Sequence, residues 1–176
     1  MTGIIFSGFG GQGILTTGII AAEAGMKLGK YITWYPSYGA QMRGGTANCN
    51  VKMDSRPIAS PYVKHIDILC AMNAASVDKF QGRMKPGGLL LVDAAAVPAD
   101  HPIRDDVQVV RVPVAEIANR CENPRGANLV MLGAISAHSD LFETEVLAQL
   151  VDDYFAKKGK NNPKNRLCLL EGAKCQ

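Results

Sequence analysis

With 176 residues, 47% of them hydrophobic and 20% charged, the chain is too apolar to be disordered and long enough for a single domain, predicted over residues 1–176. Its formal net charge of +3 is small and its cations are spread along the chain, which argues against nucleic-acid binding. The lack of a secretory signal pattern and of an apolar run of about 18 residues predicts a cytoplasmic protein that does not cross a membrane.

The first third of the chain predicts three strands and one helix. The segment GIIFSG is a short apolar strand, and the helical spacing of apolar residues after it predicts a helix that ends at Gly29. The aromatic and β-branched residues of YITWY, 31–35, predict a second strand that ends at Pro36. The segment ANCNVKM, 47–53, alternates in a way that predicts a third strand with one exposed face.

The middle of the chain contains strands of a more apolar kind. IDILCAM, 66–72, and GGLLLVD, 87–93, are almost continuously apolar, which is typical of parallel strands covered on both faces by helices. Residues 74–84 predict the crossover helix between them, closed by Pro86 and the glycine after it. The segment VQVVRVP, 107–113, predicts a further strand.

The last third of the chain reads as helical. Apolar residues recur at helical spacing in VAEIANR, in NLVMLGAISAHS and in EVLAQLVDDYF, and residues 162–173 predict a final short helix. The whole pattern predicts an α/β fold, a Rossmann-like layered domain with a mostly parallel sheet and a helical C-terminal part.

Cysteine spacing argues against two classes of site. The five cysteines are odd in number and form no Cys-x-x-Cys pair, so neither a disulfide framework nor a metal site is predicted in this chain. Most of these thiols are expected to be buried.

The loop GFGGQG follows the first strand and opens the first helix. Gly8, Gly10 and Gly13 fit the Gly-x-Gly-x-x-Gly spacing of dinucleotide sites, where backbone N–H groups and a helix N-terminus face a ligand. A nicotinamide site also needs an acidic residue after the second strand, and YITWYP offers none, which disfavours NAD. The alternative is that these glycines only permit a tight turn.

A second glycine-containing loop, SYGAQMRGG, follows the second predicted strand. Arg43 is followed by Gly44 and Gly45, so a ligand or another chain could approach its guanidinium group closely. Tyr38 adds an aromatic ring to the same segment. The alternative for Arg43 is a solvated surface charge.

Both loops occur together with RPIASP, IDILCAMN and ANLVMLGAI, in this order and over nearly the whole chain. This combination resembles the gamma subunit of 2-oxoacid:ferredoxin (acceptor) oxidoreductases. The family oxidatively decarboxylates a 2-oxoacid, such as pyruvate or 2-oxoglutarate, to an acyl-CoA and CO₂ and passes the electrons to ferredoxin. The resemblance implies that this chain is a gamma subunit, inactive alone, that assists assembly and completes the active site.

The resemblance also implies which partners hold the cofactors. Thiamine diphosphate and Mg²⁺ belong to alpha and beta subunits, iron–sulfur clusters belong to a ferredoxin-like subunit, and ferredoxin accepts the electrons of the complex. Coenzyme A is the co-substrate and could contact this chain, which binds no cofactor alone. A chain adapted to a complex should expose an apolar surface around Trp34, Tyr35, Tyr38 and Met42, through which it could self-associate in isolation.

No residue is assigned a catalytic role or a metal. Gln12 is expected to offer its side-chain amide to a ligand or partner, and Asn128 either caps a helix or contacts the active site. The candidate ligand-binding or partner-binding residues are Gly8, Gly10, Gly11, Gln12, Gly13, Tyr38, Arg43, Gly44, Gly45 and Asn128. Two other functions remain open, an independent dinucleotide-dependent oxidoreductase and a regulatory or scaffold domain.

Overall fold

The computed structural model describes residues 1–38 and 46–175, which contain six strands and six α-helices. In chain order they are β1 (Thr2–Phe9), α1 (Ile14–Lys27), β2 (Tyr31–Tyr38), β3 (Thr46–Asp54), β4 (Ile66–Ala71), α2 (Ala74–Phe80), β5 (Met84–Asp93), β6 (Gln108–Val112), α3 (Val114–Arg120), α4 (Ala127–His138), α5 (Thr144–Lys157) and α6 (Pro163–Gly172). No helix in these two ranges is both long enough and apolar enough to cross a membrane.

The strands form one sheet in the order β2-β3-β1-β4-β5-β6. The pairs β1·β4, β4·β5 and β5·β6 are parallel, whereas β3 runs antiparallel to both β1 and β2. The α/β class and the helical C-terminal part are confirmed. The sheet is mixed, because β3 returns between two strands that share one direction.

Two expectations about strands are wrong. The second strand does not end at Pro36, because β2 continues to Tyr38. β2 is an edge strand, and a residue without an N–H group is tolerated there. β3 has no exposed face: Asn48 and Asn50 are 4% and 7% exposed, because β3 lies inside the sheet and Val63 donates its N–H to Asn50 Oδ1 at 3.1 Å.

The crossover helix is shorter than predicted. α2 ends at Phe80, a 3-10 turn covers Gln81–Arg83, and β5 already begins at Met84. The predicted stop at Pro86 therefore lies within a strand. β5 lies inside the sheet, and its register with β4 shifts between Ile66 and Ile68, opposite the start of β5.

The sheet separates two apolar cores of unequal size. Alternate residues of β1 face opposite sides, so Ile4 and Phe6 enter a large core with α1 and α3 to α6, and Ile5 enters a smaller core with α2. The helix α1, which follows β1, and the helix α2, which follows β4, thus cover opposite faces. The gap between β1 and β4 is therefore the point at which the chain connections change face.

A close helix crossing fixes the position of α4. Gly133 of α4 and Gly172 of α6 lie where a Cβ atom would come within 2.0 Å of a backbone carbonyl oxygen of the other helix, that of Leu169 and of Val130 respectively. Only glycine permits this approach. The crossing holds α4 against the sheet with its N-terminus beside the loop after β1.

Candidate functional site

The loop between β1 and α1 has a shape that requires glycine at three positions. At Gly8 a Cβ atom would lie 2.8 Å from Ile14 Cδ1 and 2.9 Å from Met72 Cβ. Gly11 and Gly13 have φ values of +91° and +74°, left-handed conformations that L side chains rarely adopt. Gly10 and Gly11 between them are exposed. The tight turn is therefore present, and its tip stays open to a ligand.

Gln12 closes this loop on itself. Its Oε1 accepts the N–H of Phe9 at 2.6 Å, and its own N–H donates to the Phe9 carbonyl at 3.3 Å. The side-chain oxygen is thus used within the loop. The amide NH₂ group is what Gln12 can offer outward, so the predicted amide contact is restricted to a donor.

Asn128 joins the loop to α4. Its Nδ2 donates to the Gly13 carbonyl and to Thr17 Oγ1, both at 3.2 Å, and Thr17 Oγ1 donates to the same carbonyl at 3.1 Å. Asn128 is 6% exposed and lies inside α4, which begins at Ala127 with no side-chain cap. The hypothesis of a helix cap is therefore wrong, and the amide stabilises the start of α1 instead.

A cleft of about 400 Å³ opens beside this loop. Gly11, Gln12 and Gly13 form one wall, and Met72, Asp93 and Arg125 are among the other residues that line it. The glycine loop follows β1, Met72 follows β4 and Asp93 ends β5, so the cleft lies at the carboxyl ends of the parallel strands and at the change of face between β1 and β4. Ligands of open α/β sheets bind in such a crevice.

The cleft offers hydrogen-bond donors and a carboxylate acceptor. The helices α1 and α4 begin at Ile14 and Ala127 without side-chain caps, which leaves N–H groups and the positive ends of two helix dipoles next to the cleft. Arg125 is exposed and forms no ion pair within residues 1–38 and 46–175. These donors suit a phosphate or carboxylate group.

Asp93, the last residue of β5, is the acceptor. It is 7% exposed, and burial raises the pKa of its carboxyl group above the usual range, although the N–H groups of Ala95 and Ala96 oppose this shift. Sequence reasoning missed both Asp93 and Arg125. A charged residue that ends an apolar strand, as in GLLLVD, was the available signal for Asp93.

Only part of the second predicted loop can be located. Tyr38 is the last residue of β2, and Arg43, Gly44 and Gly45 lie outside the described residues. The end of β2 and the start of β3, which flank this loop, lie at the same end of the sheet as the glycine loop, because Tyr38 pairs with Ala47 and Thr46 pairs with Phe9.

The cysteines and histidines form no further centre in the part of the chain that the structure describes. Four thiols are buried and Cys175 is half-buried, all five are free, and no three His, Cys, Asp or Glu side chains there are grouped so that they could hold a metal ion. His101 bonds to Asp78 at 2.9 Å and His138 to the Cys175 carbonyl at 3.0 Å, both outside the cleft.

Comparison with known proteins shows one consistent kind of relative. The ketoisovalerate oxidoreductase subunit VorA of Methanothermobacter marburgensis is 40% identical over 131 residues, 74% of this chain but 27% of VorA. The 2-oxoglutarate synthase subunit KorC of Methanocaldococcus jannaschii is 33% identical over 171 residues, 96% of this chain and 90% of KorC. The chain thus spans about a quarter of the first relative and most of the second.

Two solved structures share the fold. The gamma subunit of a keto/oxoacid ferredoxin oxidoreductase from Geobacter sulfurreducens has a TM-score of 0.80 at 28% identity and covers 97% of this chain and 93% of its own. The 2-oxoglutarate:ferredoxin oxidoreductase of Magnetococcus marinus, with 2-oxoglutarate, coenzyme A and succinyl-CoA bound, has a TM-score of 0.83 at 26% identity and covers 98% of this chain and 30% of its own. A family model described as pyruvate ferredoxin/flavodoxin oxidoreductase matches residues 3–175. The chain belongs to the pyruvate ferredoxin/flavodoxin oxidoreductase family.

Proposed function

We propose that this chain is the gamma subunit of a 2-oxoacid:ferredoxin oxidoreductase, a single cytoplasmic domain over residues 1–176 that is inactive alone. The observation that carries the proposal is the similarity along almost the whole chain to a 2-oxoglutarate synthase subunit and to an oxidoreductase gamma subunit of similar length. In this proposal alpha and beta subunits hold thiamine diphosphate and Mg²⁺, a ferredoxin-like subunit holds iron–sulfur clusters, and ferredoxin accepts the electrons.

The chain's own contribution is the cleft at the carboxyl ends of the strands. Gly11, the Gln12 amide and Arg125 supply donors for a phosphate group of coenzyme A, and the nearby helix N-termini add positive potential. Asp93 accepts a hydrogen bond from a hydroxyl or amino group of the same ligand. The cleft of about 400 Å³ holds part of such a molecule, and partner subunits complete the site. Tyr38, Arg43, Gly44 and Gly45 are the proposed second edge of this site.

The test is reconstitution with thiamine-diphosphate and ferredoxin-like subunits of the same organism. Reduction of ferredoxin or a viologen dye should require the 2-oxoacid, coenzyme A and this chain together, and the chain alone should show none. Full activity without this chain, or activity from this chain alone, would overturn the proposal.

A single substitution tests the ligand. Arg125→Ala removes a charge-assisted hydrogen bond worth about 1.5 to 3 kcal/mol, so the KM for coenzyme A should rise about 10-fold or more. The KM for the 2-oxoacid should stay within about twofold. The control is Arg120→Ala, an exposed arginine that pairs with Glu116 on its own helix. Equal KM values for coenzyme A in both variants would remove Arg125 from the site.

A second candidate, an independent dinucleotide-dependent oxidoreductase, is supported by the glycine loop at the cleft. β2 is nevertheless free of acidic residues through Tyr38, so the carboxylate that would bind a ribose is missing there. Saturable binding of NAD(H) by the isolated chain, measured by calorimetry, would make this candidate the leading one.

A further inference from the structure

A cluster of cations lies at the end of the sheet where β1, β4 and β5 begin, opposite the end that carries the cleft. A pocket of about 270 Å³ there is lined by residues that include Lys52, Tyr62, Lys64 and Lys85. Arg83 adjoins it, because its guanidinium group donates to the Val63 carbonyl in the pocket wall. Lys52, Tyr62, Lys64, Arg83 and Lys85 are called the basic surface below.

Three of these four cations have no carboxylate partner within the described residues. Lys52 Nζ donates to the Ser60 carbonyl at 2.7 Å, and Arg83 also bonds to a carbonyl. Lys64 is exposed and forms no hydrogen bond or ion pair with the described residues. A carbonyl bond orients a cation without cancelling its charge.

The carboxylate of the pocket is already engaged. Asp67 pairs with Lys85, and its other oxygen accepts the N–H of Gly3 at 2.7 Å. Four cations therefore face one carboxylate, an excess of three charges that equals the formal net charge of the whole chain. The basic surface therefore carries a net positive charge that its own carboxylate does not neutralise.

An exposed aromatic pair lies beside the cations. The rings of Tyr35 and Tyr62 are 4.9 Å apart at 58°, their hydroxyl groups are 3.4 Å apart, and Tyr62 is 54% exposed. Tyrosine and arginine are enriched among the residues that carry most of the binding energy at protein–protein interfaces. A small anion would leave these rings exposed to solvent, whereas a protein surface could bury them.

We propose that the basic surface docks an acidic segment of the thiamine-diphosphate subunits, at the end of the sheet opposite the ligand cleft. This inference rests on the proposed function. Charge complementarity selects the occupant, because three unneutralised cations attract carboxylates and repel another basic surface. The cations steer the encounter, and Tyr62 supplies contact area that slows dissociation.

The experiment measures association between the purified chain and the thiamine-diphosphate subunits by stopped-flow anisotropy. The double variant Lys52→Glu/Lys64→Glu should slow association about 10-fold at low salt and lose most of the salt dependence of the wild type. Tyr62→Ala should accelerate dissociation about 10-fold and leave the association rate within about twofold.

The matched control is Lys157→Glu/Lys160→Glu, which makes the same charge change at exposed lysines near the end of α5. It should associate at the wild-type rate. Lys64→Glu alone keeps the test valid if the double variant does not fold, because Lys64 is exposed and makes no hydrogen bond within the described ranges.

Two outcomes would overturn the inference. One is a wild-type association rate for the double variant. If inorganic phosphate then raises the melting temperature of the wild type but not of the double variant, the surface binds a small anion instead of a protein. The other is equal slowing by the control. In either case a wild-type chain that still restores activity leaves the proposed function intact. If the wild type neither associates nor restores activity, the proposed function itself fails.

Discussion

Asn128 shows how a single buried amide can determine the shape of a loop that is distant in sequence. Its NH₂ group bonds to the Gly13 carbonyl and to Thr17 Oγ1, more than 100 residues earlier. The same amide occupies the space that a Cβ atom at Gly13 would need, with Asn128 Nδ2 2.6 Å from that position. Glycine and asparagine therefore depend on each other at this contact.

We expect Asn128→Ala to lower the free energy of unfolding by about 1 to 3 kcal/mol, because the Gly13 carbonyl and Thr17 lose a buried donor. Urea denaturation measures this loss. Asn119→Ala, at an exposed position of α3, should change stability by less than about 0.5 kcal/mol. Unchanged stability together with a raised KM for coenzyme A would favour the alternative role of Asn128 as a ligand contact.

The buried carboxyl group of Asp93 gives a prediction about pH. Burial raises its pKa in the folded chain above the unfolded value, so the folded state binds more protons and stability falls as the pH rises between these two pKa values. Asp93→Asn removes this cost and keeps an oxygen for the Ala95 N–H, a bond of 3.0 Å. The variant should therefore melt at a higher temperature than the wild type at neutral pH.

The advantage of Asp93→Asn should shrink as the pH is lowered toward the ordinary pKa of aspartate, where the wild-type carboxyl group also becomes neutral. Asp105→Asn, at an exposed position, serves as the control and should show little difference from the wild type at any pH. If Asp93→Asn is less stable at neutral pH, the carboxylate is stabilised by its surroundings and the assigned direction of the shift is wrong.

At the scale of elements, the crossing of α4 and α6 is the contact with the least tolerance. Gly133→Ala would place a methyl group 2.0 Å from the Leu169 carbonyl oxygen and 2.8 Å from the Ala173 nitrogen, and backbone atoms cannot move aside as a side chain can. We expect a loss of about 3 kcal/mol in the free energy of unfolding, measured by urea denaturation.

Gly82→Ala is the matched control, because nothing lies within 4 Å of its added Cβ atom and its φ is negative. It should be neutral within about 0.5 kcal/mol. Should Gly133→Ala unfold at the wild-type urea concentration, α6 can shift outward at no cost, and the crossing does not fix α4.

Hydrophobic pattern predicted most elements correctly, because the core is continuous along them. The apolar residues at helical spacing in α5 do face the core: Leu147, Leu150, Val151 and Tyr154 are buried, and Val146 and Phe155 are partly buried against them. Pattern failed for β3 because burial of Asn48 and Asn50 depends on distant partners, and local alternation does not reveal a strand's place in a sheet. Arg125 was missed for the same reason, since only the fold brings it to the cleft.

At the scale of the whole molecule, burial lowers the reactivity of the cysteine thiols. Burial raises the pKa of Cys49 and of Cys168 to about 12, and burial also raises the pKa of Cys70. At neutral pH these groups stay protonated, and the thiolate is the reactive form. We expect iodoacetamide to modify at most one cysteine of the native chain, the half-buried Cys175, as counted by mass spectrometry.

In urea all five cysteines should be modified, which is the control for reagent and time. Rapid modification of Cys49 or Cys70 in the native chain would contradict this prediction, because it would require that the large core open frequently.

The central position of β1 has a consequence for synthesis of the protein. β1 is made first, yet its two neighbours in the sheet are β3, from Thr46, and β4, which ends at Ala71. At about 5 to 20 residues per second, the ribosome leaves an apolar strand with both edges open for about 2 to 9 seconds, until β3 is complete. The yield of folded chain should therefore rise at a lower growth temperature, or with a chaperone that shields residues 2–9 during translation.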